Sequence, residues 1–267
     1  MSGNSSLRGR MPGQSVMREV VAAQQNLPPQ SRLARIFGAN PITQNNRDNY
    51  RSALGELLVG DTLDSVGTEW DVLHAIPVGD GIPEIDHLVI GPAGVFTIWT
   101  RNFPGQEIWV GGETLLVGTA RHDDIAGAKL QAERATALLS AAAGRPVTVE
   151  PILVVVNPKK LVIREQPSGL VVVSSKQLIR WLTRLDRRLD GVDVALISDV
   201  ADRNTTWSAV VESTSDTEQL HRDFATLRES VGTSTTTRVL WAVAAFIVIA
   251  AVVWVGVAVF VQHVVMH

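Results

Sequence analysis

At 267 residues the chain is long enough for one or two domains, and with 45% hydrophobic residues it can bury a sizeable core. It has no cysteine, which excludes disulfides and thiolate metal sites and suits a reducing compartment. The net charge of −3 is uneven: residues 1–41 carry Arg8, Arg10, Arg18, Arg32 and Arg35 against Glu19 alone, net +4. The remainder carries −7, so any nucleic-acid contact must come from a local patch or from this arm.

In chain order, residues 1–41 are rich in Ser, Gln, Asn, Pro and Gly, and are expected to form a disordered basic arm with one helical turn near Val20. A first helix is expected over 46–63, striped by Leu54, Leu57 and Leu58, and a first strand over 70–76. A turn at 79–83 leads to two β-branched runs, 85–90 and 95–101, separated by Gly91-Pro92-Ala93-Gly94, which predict a hairpin. Pairing Ile90 with Val95 sets Leu88 opposite Thr97 and Asp86 opposite Trp99. Asp86, Trp99 and Arg101 then share a face, because side chains two apart on a strand point the same way. His87 points to the opposite face and is expected to pack behind, and His74 reads as structural.

The run Asp86-His87-Leu88-Val89-Ile90-Gly91-Pro92, then Gly94-Val95-Phe96, Ile98, Thr100, Asn102-Phe103 and Gly105, resembles the signature of the NERD (nuclease-related) family of the restriction-endonuclease-like superfamily. The resemblance implies an α/β fold, a restriction-endonuclease-like mixed sheet flanked by helices. It also implies a metal-dependent phosphodiesterase centre: Asp86 and Glu56 (in Gly55-Glu56, similar to the pair that opens such domains) as ligands of a Mg²⁺ or Mn²⁺ ion, and Gln131 facing the cleft. The family usually places an acid at position 99 and a lysine at 101; here these are Trp99 and Arg101. An indole offers a donor and no oxygen lone pair, and an arginine that is always charged cannot act as a base. Any metal is therefore expected to be weakly held, with Glu84 or Glu107 as the candidates to replace the missing acid.

Beyond the hairpin, 107–110 and 114–117 flank Gly111-Gly112-Glu113, predicting a second hairpin whose glycines turn the chain and do not cradle phosphate. A helix is expected over 124–143, capped by Asp123 or Asp124 and stopped at Gly144. The apolar run 147–156 reads as a strand covered on both sides, followed by a short strand at 170–173. Ser174 or Ser175 caps a helix expected to reach Leu189, whose face carries Arg180, Arg184 and Arg187 as the phosphate-binding candidates, with Arg188 alongside. A strand at 192–197, Thr205-Thr206-Trp207 followed by an alternating run to Val211, and a charged helix over 216–228 complete the NERD-like domain (42–213) and begin the helix and linker (214–237), of which 232–237 is expected to be flexible.

Val239 and Val261 bound 23 residues without a charge. At 1.5 Å per residue this is roughly 34 Å, against about 30 Å of bilayer hydrocarbon, and a transmembrane helix is expected over 238–262, with a short tail at 263–267. Arg238 precedes the span and no Lys or Arg follows it, which places the long N-terminal part in the cytoplasm. The opening residues lack an apolar core, so no signal peptide is expected. The sequence thus points to a membrane-anchored nuclease-related domain with impaired or lost hydrolysis, binding DNA or RNA or serving as an interaction module. The alternatives are an active metal-dependent nuclease and a membrane scaffold for a protein partner.

Overall fold

The computed structural model describes residues 6–28, 30–79, 83–207 and 217–265, with side chains as far as 257 in the last stretch. Most of the expected turn at 79–83, the run beyond Trp207 and Asp216 lie outside the described residues. The chain divides into two compact units, Met1–Val20 with Asp48–Leu220, and Val21–Arg47 with His221–His267.

The first unit is an α/β fold of two mixed sheets flanked by helices. Strands β1 (Asp71–Ile76), β2 (Ile85–Gly91), β3 (Gly94–Asn102), β7 (Val149–Val156) and β9 (Val171–Ser174) form a five-stranded sheet in the order β1-β2-β3-β7-β9. The first three run antiparallel, and β7 and β9 are parallel to β3 and to each other. The expected register holds, with Ile90 against Val95 and Leu88 against Thr97. A second sheet takes β4 (Glu107–Gly111), β5 (Thr114–Val117), β6 (Ala120–His122) and β8 (Lys160–Glu165) in the order β6-β5-β4-β8.

Period-2 alternation in the larger sheet divides its apolar residues between two layers. On one face Leu88, Ile90 and Val95 pack against Ala132, Ala135 and Leu139 of α4 (Asp124–Ala143) and Ile197 and Val200 of α6 (Gly191–Asp202). On the other, Val89, Phe96, Ile98 and Val154 meet Val59 and Leu63 of α3 (Arg47–Leu63) and Leu178 and Leu182 of α5 (Ser175–Leu182). A third cluster joins Trp99, Leu153 and Val155 to Ile125 and Ala128 of α4 and Ile108 and Val110 of β4.

Four sequence expectations are corrected. The arm is ordered over its described residues: α1 (Gln14–Gln25) is helical, and Leu7 and Met17 are fully buried. The helix from Ser175 stops at Leu182, because the chain beyond it is captured by the first hairpin's turn: the N–H groups of Arg188 and Leu189 both donate to the Pro92 carbonyl, at 2.7 and 2.9 Å. The strand expected at 192–197 is the first half of α6, capped by Asp190, whose carboxylate accepts from the Asp193 N–H at 2.8 Å. The expected flexible link at 232–237 is helical and lies within α7 (Thr217–Val265). There Thr233, Thr235 and Thr236 each bond back to the carbonyl four residues earlier, so their hydroxyls consume no backbone bond of the helix.

In the second unit α7 is long and apolar enough to cross a membrane, and its apolar stretch is not buried by the other described residues. The same unit contains α2 (Arg32–Ile36), started by Ser31, whose hydroxyl accepts from the Ala34 N–H at 3.1 Å.

Candidate functional site

Three buried or half-buried acids meet where the start of β2 passes α3. Asp86 is in β2, Glu84 lies just before that strand, and Glu56 projects from α3. Asp86 Oδ2 accepts the Thr100 N–H at 2.6 Å, fixing the carboxylate to the neighbouring strand. Burial pushes Asp86 up to about 7, opposed by the Arg101 charge and the Thr100 N–H and reinforced by Glu84. Glu56 is raised well above the usual carboxylate range, first by burial and then by the charges of Asp86 and Glu84. Glu84 is raised by burial, against hydrogen bonding from Ser15 at 2.6 Å and the charge of Arg10, whose Nη2 lies 3.6 Å away. All three shifts run toward the protonated form, because burial disfavours the charged carboxylate.

Beside the cluster, the two residues at the positions of the usual acid and lysine share one partner. The Trp99 indole N–H donates to Asp124 Oδ1 at 3.2 Å, and Arg101 Nε donates to the same oxygen at 2.5 Å. The Arg101 guanidinium carbon sits 4.5 Å from the centre of the Trp99 ring, a cation–π stack that occupies the space between them. His122 Nδ1 is 3.5 Å from the other Asp124 oxygen. Gly127, one turn into α4, makes the arrangement sterically feasible: a Cβ there would lie 2.8 Å from the Trp99 ring.

Gln131 is fully buried and donates to the Glu84 carbonyl at 2.8 Å, so it braces the entry to β2 as well as lying at the cluster. His87 is buried on the reverse face, as its parity requires, with its Nδ1 2.8 Å from that of His74 across the β1–β2 pair. Burial lowers His74 to about 4 and His87 well below the usual range, so both imidazoles are neutral and one tautomer donates to the other. Glu107 is far from this chemistry in character: it is exposed and paired with Lys159 at 2.9 Å. The arginine stripe is also dispersed. Arg180 is on α5, Arg184 lies past its end, and Arg187 pairs with Glu69 at 2.9 Å. Arg188 is bound to the Ala93 carbonyl at 2.6 Å and to Glu150.

Outside the acids a cleft of about 650 Å³ is lined by Arg51, Ser52, Arg101, Asn102, Phe103 and His122, among others. In the sequence Asp124 reads only as a helix cap. Its spacing from Gln131 was the available signal, since seven residues are two helical turns and put both side chains on one face.

Residues 51–156 match the family model of the nuclease-related domain. This segment is a NERD domain. It contains Glu56, Glu84, Asp86, Trp99, Arg101, Asp124 and Gln131, so the whole arrangement falls inside the match. No curated protein and no solved structure matches the chain.

A hard cation at a NERD centre needs several oxygen donors converging on one point. Buried oxygens lacking a hydrogen-bond partner are present, Glu56 Oε2 and Glu84 Oε1. Against this, Asp86 Oδ2 is engaged by the backbone, Trp99 supplies no lone pair, and Arg101 brings a fixed positive charge that acts on both Glu56 and Asp86. Among the described residues no group of three His, Cys, Asp or Glu side chains is placed to hold a metal ion. As arranged, the donors do not fit a resident divalent ion.

Proposed function

We propose that this protein is a membrane-anchored NERD domain whose phosphodiesterase chemistry is impaired or lost, and whose cleft binds phosphate-bearing nucleic acid or a partner of similar charge. The observation that carries the reading is the shared hold of Trp99 and Arg101 on Asp124, which ties up both positions where the family's acid and lysine would act on a metal and a water. A Mg²⁺ or Mn²⁺ ion that entered would have Glu56 and Asp86 as its first ligands and would be held weakly. For binding, Arg51, Arg101 and His122 at the cleft replace Arg180, Arg184 and Arg187 as the favoured phosphate contacts, because they converge on one cavity. The apolar helix residues 239–261 hold the domain at the membrane, and Arg238 before the span favours a cytoplasmic domain.

The test uses the full chain in detergent with plasmid and single-stranded DNA, across Mg²⁺, Mn²⁺ and Ca²⁺. No cleavage is expected, with salt-dependent binding that weakens in Arg51→Glu. Trp99→Glu combined with Arg101→Lys is expected to gain Mn²⁺ binding by calorimetry. Cleavage by the unaltered protein that disappears in Asp86→Asn would overturn the reading in favour of an active nuclease. One observation favours that second reading: Glu84 acts electrostatically on both Glu56 and Asp86, and its Oε1 lacks a hydrogen-bond partner, as a replacement ligand requires.

A further inference from the structure

The second unit presents an apolar surface that the NERD chemistry does not use. In α2 and its C-cap, Leu33, Ile36 and Phe37 are 66%, 53% and 58% exposed. Their i, i+3, i+4 spacing gathers them on one helix face, with Arg32 and Arg35 turned off it. Such a face facing water is unfavourable, and apart from the edge of Phe37 that meets Trp241 it stays more than half exposed among the described residues. What lies next to it is the beginning of the apolar span. The Trp241 indole N–H donates to the Ile36 carbonyl at 2.7 Å, its ring is 5.3 Å from that of Phe37, and Arg238 Nε donates to the Gly38 carbonyl at 3.3 Å. Gly38 adopts φ +67, and a Cβ there would meet the Ser234 carbonyl at 2.5 Å, so glycine is what lets the α2 turn seat against α7.

These contacts hold α2 level with the third residue of the uncharged run, which is where a membrane–water interface falls if that run spans a bilayer. We infer that α2 is an interfacial helix whose Leu33–Ile36–Phe37 face inserts into the lipid surface beside Trp241, with Arg32, Arg35 and Arg238 meeting anionic headgroups. The occupant is the bilayer itself. Continuity with the span, the interfacial tryptophan shared by both helices and the basic residues around the apolar face all favour lipid over a protein. The inference rests on the membrane-anchor reading of α7 and adds a second contact to it. A single helix fixes only the distance of a domain from the membrane, whereas a helix lying in the interface also restricts tilt and rotation of the unit that bears it.

The chain's lack of cysteine makes the test direct, because a single introduced thiol is the only one labelled. The full chain is placed in nanodiscs of phosphatidylcholine and phosphatidylglycerol, with nitroxide labels on Leu33→Cys, Ile36→Cys, Phe246→Cys or Val192→Cys. The last two serve as span and aqueous references. At positions 33 and 36 the ratio of oxygen to nickel-chelate collisions is expected to exceed that at 192 by about threefold or more, as for a side chain some 5–10 Å into the headgroup boundary. Adding Gly38→Ala is expected to return the label at 36 to water while leaving the label at 246 unchanged. If positions 33 and 36 behave like 192 while 246 reports lipid, the interfacial helix is wrong and the anchor stands. If 246 is itself aqueous, the anchor reading has failed. Labels at 33 and 36 shielded from both reagents mean that protein covers the face, which also overturns the proposal.

Discussion

Trp99 is fitted closely to its surroundings. Its ring occupies the space a Cβ on Gly127 would need, and its N–H and the Arg101 guanidinium converge on one oxygen of Asp124. The two positions are therefore energetically coupled, with a measurable sign reversal. In the unaltered protein Gly127→Ala forces a buried indole to move, an overpacking cost of about 1–3 kcal/mol. With Trp99→Ala in place the obstacle is gone, and the same change gains about 1 kcal/mol from helix propensity. A thermal-denaturation double-mutant cycle in detergent should show Gly127→Ala lowering the midpoint in one background and raising it in the other. Additive effects of one sign would mean that the indole does not sit against α4.

At the scale of elements, the sequence was most legible where local pattern and tertiary demand agree. The 85–101 hairpin is specified twice, by its β-branched apolar runs and by its Gly-Pro-Ala-Gly turn, and its register follows; α4 has its glycine stop. Legibility failed where distant residues decided the outcome. The helix at 175 ends because Pro92 captures the N–H groups beyond it, and the β-branched residues of 192–197 are helical because Asp190 caps them and Val194, Ile197 and Val200 repeat every three residues against the sheet. The arm reads as polar and loose in composition, yet Arg10 is 6% exposed. Its Nε donates at 2.6 Å to the carbonyl of Ala75, a residue held at φ +50 where β1 skips a ladder position, and its Nη2 faces Glu84. Substituting Arg10→Met keeps the aliphatic stem but leaves that carbonyl without the Arg10 donor and removes the stronger of the two cations acting on Glu84. The expected loss is about 3 kcal/mol, the cost of removing one partner from a buried ion pair, measured as a drop in the denaturation midpoint. A midpoint within about 0.5 kcal/mol of the parent, the range of ordinary surface changes, would show that the arm is not fastened through this side chain.

Across the molecule, two buried groups on opposite faces of the same sheet give opposing pH dependences. Asp86 titrates near 7 when folded and near 3.8 ordinarily, so its contribution to stability is present below about pH 4 and lost as pH rises through 7. Glu56 acts in the same direction. His74, near 4 when folded against 6.5 ordinarily, works the other way: its contribution is present above pH 6.5 and lost as pH falls through 4. Between pH 4 and 7 the two slopes partly cancel, and the parent protein should show a shallow profile. Asp86→Asn preserves the acceptor for the Thr100 N–H and removes the ionisation. The variant should be more stable than the parent at pH 7.5, by at most roughly 4 kcal/mol and by less to the extent that Glu56 shares the same proton. It should also lose stability more steeply than the parent on acidification to pH 5, since one of the raised carboxyls that oppose the histidine pair is then gone. Near-ultraviolet circular dichroism of the full chain in detergent, heated at pH 5.0, 6.0 and 7.5, reads both effects. A variant profile parallel to the parent's would mean that Asp86 ionises as an ordinary surface carboxylate, and with that the protonated, metal-poor character assigned to the cluster would fall.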